Sequence, residues 1–246
     1  IRRILDEYFT QLKSDLLFVA KESHLSSQSL DKVLSYGELL STKILAEYLC
    51  QIGIPAEQLD ARKVILTDNY FGHAFVHYQE SYNRIRSYFK DRSQIQVITG
   101  FLGSTKTGET TTLGRSGSDY TAAIFGAALN AKIIEIWTDV DGILSANPSF
   151  IDSAETITYL TYEEAMELAH AGAKVIFPPA MIPALYKKIP ILIKNTFKPD
   201  HPGSFITEDR ANTNKTVVGI TYDSHDEMVI KSFEEIYNEA DQKLGI

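Results

Sequence analysis

Thr110-Thr111-Thr112-Leu113-Gly114-Arg115-Ser116-Gly117-Ser118-Asp119-Tyr120 is the stretch on which the fold turns. Its β-branched start reads as extended chain, and 114–117 reads as a glycine-serine loop. The alanine-rich segment 119–130 then reads as a helix, and the apolar run 131–138 as a buried strand. Strand, loop, helix and strand in that order are the repeating unit of an α/β fold.

The same alternation extends in both directions. Upstream, 94–101 is a β-branched run ending in glycine, and 75–90 has helical spacing with Tyr78, Tyr82, Ile85 and Phe89 on one side. Residues 63–67 read as a short strand. Residues 30–52 read as a long helix whose Leu34, Leu39, Leu40, Ile44, Leu45, Tyr48 and Leu49 supply one core-facing stripe, stopped by Gly53-Ile54-Pro55. Ile1, Ile4, Leu5, Tyr8, Phe9 and Leu12 give the first helix. Downstream, Thr161 and Glu164 form a capping box for a helix that runs to His170. A short helix at 178–188 precedes a strand at 189–193. Further strands are expected at 204–207 and 217–222, and a polar helix at 233–244. The expected fold class is α/β, with a mostly parallel sheet covered on both faces.

The 246 residues carry 44% hydrophobic and 23% charged side chains, which fits a folded chain with a sizeable core. A formal net charge of −8 disfavours a general nucleic-acid binder, which needs many phosphate-neutralising cations. No apolar run reaches the ~20 residues of a membrane span, and no signal peptide opens the chain. The single cysteine, Cys50, excludes an internal disulfide; it is expected to be a buried packing residue in a reducing cytoplasm. Because Ile1 already lies inside a helical pattern, the sequence is read as a piece that begins after its natural start.

Three places carry chemistry. Gly100-Phe101-Leu102-Gly103 reads as a loop after a strand, where glycine lets backbone amides approach a ligand; a tight turn explains it equally. The opening stretch sets hydroxyls, glycines, Arg115 and Asp119 at a helix start, a place suited to an anion. Capping by Ser118 or Asp119 is the plainer reading, and it leaves a basic residue between two glycines unexplained. Finally, Trp137-Thr138-Asp139-Val140-Asp141-Gly142 ends an apolar strand in two carboxylates. They suit magnesium or ribose hydroxyls, or a solvated turn.

Taken together the motifs resemble the aspartate kinases of the amino-acid kinase family. Residues 111–120 resemble their substrate loop and 136–142 their nucleotide loop. Glu163-Glu164-Ala165-Met166-Glu167-Leu168 with Gly172-Ala173-Lys174-Val175 resembles the helix and lysine that follow. Tyr36-Gly37-Glu38-Leu39-Leu40-Ser41 resembles an earlier acidic motif, and Ile193-Lys194-Asn195-Thr196-Phe197 the end of the domain.

The resemblance implies a three-layer α/β/α sandwich around an eight-stranded, mostly parallel central sheet. It implies transfer of the ATP γ-phosphoryl to the β-carboxylate of L-aspartate, the first step toward lysine, threonine and methionine, with Mg2+ held mainly by the nucleotide phosphates. Arg115 would hold a substrate carboxylate, Glu38 the amino group, and Ser118 would line the same site. Lys174 and Asp119 would be catalytic. Nucleotide contacts would fall on Gly100, Gly103, Thr138, Asp139, Gly142, Leu144, Ser149, Lys174 and Val175. A cytoplasmic homodimer is implied, with neither nucleic-acid nor membrane partners.

Residues 1–216 would be the kinase domain, without the family's first strand and lysine-glycine motif, and 217–246 a linker or remnant of a regulatory ACT domain. Leu144, Asn147 and Ser149 stand where the family has tyrosine, aspartate and arginine, which implies altered nucleotide affinity. Other readings are a different carboxylate kinase of this fold, or a kinase-like binding fragment with little turnover. A dinucleotide oxidoreductase is opposed by the lack of G-x-G-x-x-G after a strand.

Overall fold

The computed structural model describes residues 2–21, 24–148, 151–170 and 177–209. The chain falls into two compact units, Ile1–Thr121 and Ala122–Ile246.

The first unit opens with α1 (Arg2–Val19) and α2 (Ser27–Gln51). Ser26 caps α2 by accepting from the Ser29 amide at 3.1 Å. One side of α2 packs Tyr36 and Leu39 against Leu102, with Tyr8 and Leu12 of α1 beside them. The other side carries Leu34, Ile44, Leu45 and Tyr48 into solvent, so the stripe expected to face the core is divided between core and surface. Cys50 also proves exposed rather than buried; its thiol donates to the Ala56 carbonyl at 3.0 Å.

β1 (Ala56–Leu59) pairs in parallel with β2 (Ile95–Ile98), and α3 (Tyr78–Phe89) lies between them in the chain. The strand expected at 63–67 is instead a 3-10 turn, Ala61–Lys63, followed by single bridges at Leu66 and Thr67. Asp60 explains the change, because its side chain caps the turn through the Arg62 amide and pairs with the Arg62 guanidinium. β3 (Leu102–Ser104) and β4 (Thr110–Thr112) form an antiparallel hairpin. Residues 102–104 are therefore strand, where a ligand-facing loop was expected.

α4 (Gly117–Leu129) starts in the first unit and continues into the second. There the four-stranded sheet runs β5-β7-β8-β6, built from β5 (Ile134–Thr138), β6 (Tyr159–Thr161), β7 (Ile191–Asn195) and β8 (Ser204–Thr207). β5 with β7 and β6 with β8 are parallel, and β7 with β8 is antiparallel. Ile191, Ile193 and Ile206 are buried in one cluster with Tyr162, Ala165 and Met166 of α5 (Tyr162–His170) and Met181 and Ala184 of α6 (Pro178–Tyr186). The capping box forms as expected: the Thr161 amide donates to Glu164 at 2.9 Å, and the Glu164 amide to Thr161 Oγ1 at 3.1 Å.

The eight strands are thus α/β in character with three of five pairings parallel, but among the described residues they pair in groups of two, two and four. The strand and helix expected at 217–222 and 233–244 lie outside those residues.

Candidate active site

In the first unit three segments meet at one corner. Leu113 donates its amide to the Phe101 carbonyl at 2.9 Å, and Phe101 donates to Thr121 Oγ1 at 3.0 Å. Those bonds clamp the end of β2 against the turn that enters α4. The turn itself is left-handed at two residues, Gly114 (φ 75) and Ser116 (φ 51). Glycine is required at 114 for a second reason: a Cβ there would lie 2.3 Å from His73 Nδ1. Ser118 and Asp119 stand in the first turn of α4, so neither is the N-cap. At Gly100 a Cβ would come within 2.7 Å of Ser118 Oγ, so only glycine admits that contact.

Glu38 completes the corner from α2. The Gly100 amide donates to its carboxylate, yet burial outweighs that bond and raises its pKa above the ordinary glutamate value. Burial likewise raises Asp119. Glu38, Gly100 and Ser118 are therefore neighbours, with Arg115 solvent-exposed one turn earlier on the same loop. Gly103 is not among them. It is buried in β3, where a Cβ would lie 2.7 Å from Thr67 Cγ2, so its missing side chain serves packing.

The sequence reading missed Asp31. Its fully buried carboxylate accepts from the Gly72 amide at 2.9 Å, the Thr112 amide at 2.9 Å and Thr112 Oγ1 at 2.7 Å. It thereby ties α2, which carries Glu38, to the strand that feeds Arg115. An isolated acidic residue near a helix start gave no signal of this, because its partners lie 41 and 81 positions away.

The second unit carries the other candidate residues. Thr138 ends β5 and Asp139 follows it into solvent, with Thr138 Oγ1 donating to Asp139 Oδ1 at 3.2 Å. The Thr138 carbonyl accepts from the Thr196 amide at 2.8 Å. Asp141 accepts from Asn195 Nδ2 at 2.6 Å and Lys198 Nζ at 2.7 Å, and the Lys198 bond holds its pKa below the ordinary aspartate value. Gly142 (φ 124) is buried against Ser204, whose Oγ accepts from the Ile143 amide at 2.8 Å. Leu144 is half-buried and bridges Thr156. Ser149, Lys174 and Val175 lie outside the described residues. Among those described, no group of three or more His, Cys, Asp or Glu side chains gathers to hold a metal, and no helix is long and apolar enough to cross a membrane.

A family model, the amino acid kinase family, matches residues 3–195. The chain belongs to this family. Among curated relatives it is 39% identical over 218 residues to aspartokinase 1, chloroplastic, of Arabidopsis thaliana, covering 87% of this chain and 38% of that one. To aspartokinase 3 of Bacillus subtilis it is 37% identical over 225 residues, covering 91% and 48%. Among solved structures, E. coli aspartokinase III in complex with aspartate and ADP superposes with a TM-score of 0.81 at 33% identity, over 86% of this chain and 47% of that one. The chain thus spans less than half the length of each of these relatives, and its own fold is that of an amino-acid kinase.

Proposed function

We propose that this chain transfers the γ-phosphoryl of MgATP to the β-carboxylate of L-aspartate, giving ADP and 4-phospho-L-aspartate. The observation that carries the reading is the corner in which the Glu38 carboxylate, Gly100 and Ser118 meet beside the Arg115 loop. An amino dicarboxylate presents an ammonium and two carboxylates. Glu38 suits the ammonium, and the Arg115 guanidinium suits a carboxylate through paired, charge-assisted bonds. The solved aspartokinase III held aspartate and ADP, which agrees with this substrate pair.

In the reaction a β-carboxylate oxygen forms a bond to the γ-phosphorus while the bond from phosphorus to the β,γ-bridging oxygen breaks. ADP leaves with that electron pair. A carboxylate is already ionised at neutral pH and needs no general base, so the residues act by positioning and by stabilising charge. Arg115, Ser118 and Glu38 fix the acceptor, and Asp119, half-buried at the first turn of α4, orients the catalytic groups. Thr138, Asp139 and Gly142 serve the nucleotide. Lys174 contributes a cation to the transferring phosphoryl. Magnesium, when bound, would supply charge neutralisation on phosphate oxygens and take most of its ligands from phosphate and water.

We assign residues 1–216 to the kinase domain and 217–246 to a linker or regulatory remnant, place the reaction at the entry to lysine and threonine synthesis in the cytoplasm, and read the assembly as a homodimer. A second reading, a binding module with little turnover, draws on Leu144 and Asn147 in the nucleotide loop. One experiment separates them. With hydroxylamine present, kinase turnover yields aspartyl hydroxamate in step with ADP, and glutamate or N-acetylglutamate yields far less. Aspartate binding without hydroxamate would sink the kinase reading.

A further inference from the structure

The first turn of α4 carries Ser118 and Asp119, and the next two residues, Tyr120 and Thr121, tie it to two different segments. Thr121 Oγ1 accepts from the Phe101 amide at 3.0 Å and donates to the Gly117 carbonyl at 2.8 Å. The Tyr120 hydroxyl shares a hydrogen bond with the hydroxyl of Tyr78, the first residue of α3. These two rings meet edge to face with centroids 6.4 Å apart, and Tyr82, one turn along α3, packs on Tyr78 at 5.8 Å. Burial pushes the Tyr120 hydroxyl up to about 12, so it stays neutral at physiological pH. The mechanism above uses none of these tyrosines.

Successive residues of a helix point about 100° apart. A helix tied on one side can still roll about its axis, and a second tie that far round removes the roll. The anchor on α3 is itself fixed. Tyr78 is buried, the His77 amide before it donates to the Leu66 carbonyl at 2.8 Å, and Ser81 Oγ accepts from the Leu66 amide at 3.0 Å. Roll matters because a side-chain atom lies ~5 Å from the helix axis, where a turn of about 20° moves it by about 2 Å. A displacement on the order of 1 Å can cost about 100-fold in rate. Ser118 has little slack, since its Oγ stands 2.7 Å from where a Cβ on Gly100 would be. We propose that Tyr78 is a positioning residue for the acceptor substrate. Through Tyr120 it sets the roll of α4 and so aims Ser118 and Asp119 at the bound amino dicarboxylate. The proposal rests on the aspartate reading above, and Tyr78 lies outside every motif that led to that reading.

The test compares Tyr78→Phe, Tyr120→Phe and the double variant with the wild type, each as the full chain. Phenylalanine keeps the ring and its packing and removes one hydroxyl, and a thermal melt shows that each variant folds. Either single substitution is expected to lower kcat/KM for aspartate about tenfold, with KM for ATP within about twofold of the wild type. The double variant is expected to lose no more than either single one, because each hydroxyl acts only on the other. A lowered melt with unchanged kcat/KM for aspartate makes the pair a packing contact and overturns the proposal. Equal losses for aspartate and ATP, or losses that multiply in the double variant, overturn it as well. A wild type that forms no aspartyl hydroxamate fails the kinase reading, and aspartate binding by calorimetry then decides. Binding about tenfold weaker in Tyr78→Phe supports the positioning role, and equal binding overturns it. A wild type that binds no aspartate overturns both.

Discussion

The two loops assigned to the two substrates are built on different principles. The turn at 113–121 is fixed from beneath by buried groups: the Phe101 backbone, Thr121, and the three-way grip of Asp31 on Gly72 and Thr112. The loop at 138–145 is held from the interior by Ser204 and the buried Asn195, which donates to Asp141, and at the surface by the pair of Asp141 with exposed Lys198. A buried polar network fixes one geometry because any lost bond leaves an unsatisfied group. Surface ion pairs contribute little and rearrange cheaply. The first loop thus rests wholly on buried bonds, whereas the second adds one exchangeable surface pair, Asp141 with Lys198, to its buried partners.

The contrast can be broken at graded strengths. Arg115→Ala should cost the most, on the order of 100-fold in kcat/KM for aspartate, because a paired charge-assisted contact is lost. KM for ATP should change by less than about threefold, and equal losses for both substrates in steady-state kinetics would contradict the division.

Asp31→Asn touches no ligand. The amide cannot accept all three bonds, so the variant should lose about 2–3 kcal/mol of stability in denaturant titration. KM for aspartate should rise more than KM for ATP. An unchanged midpoint would show that the buried grip does not set the acceptor loop.

Next in size is the pH response of aspartate binding. Burial raises the Glu38 pKa, so its carboxylate takes up a proton at a higher pH than an ordinary glutamate. As pH falls through that raised value the ammonium loses its counter-charge and aspartate affinity should drop, while Glu38→Gln should bind more weakly but with a flatter profile. The stability effect has the opposite sense: with a folded-state pKa above the unfolded one, the contribution of Glu38 is greatest below the unfolded value and lost as pH rises through the folded one. Titration calorimetry from pH 7 to 5 checks the first, and denaturation over the same window the second.

Lys198→Ala should have the smallest effect. It frees Asp141 from an exposed pair, so stability should barely change and ATP affinity should fall by about a few-fold, with aspartate affinity unchanged.

Legibility in the sequence follows the same contrast. The helices, the capping box at Thr161 and Glu164, β2, β5 and β7 carry their own patterns, so they could be read locally. β1, β3 and β6 could not. Each has only three or four residues, and their strand state comes from the neighbours they pair with rather than from propensity. Residues 63–67 failed the other way: a strand-like composition lost to the turn that Asp60 caps. Arg115, Ser118 and Glu38 were singled out by motif order, and the structure sets Glu38 and Ser118 on either side of Gly100. Asp31 and the packing role of Gly103 were not, since both depend on contacts between distant segments.

Hydrogen exchange with each ligand added alone tests the assignment of the two loops most directly. Aspartate should slow exchange across 100–121 and leave 138–145 unchanged, and ADP with magnesium should do the reverse. Protection of 138–145 by aspartate, or of 100–121 by ADP alone, would contradict the assignment.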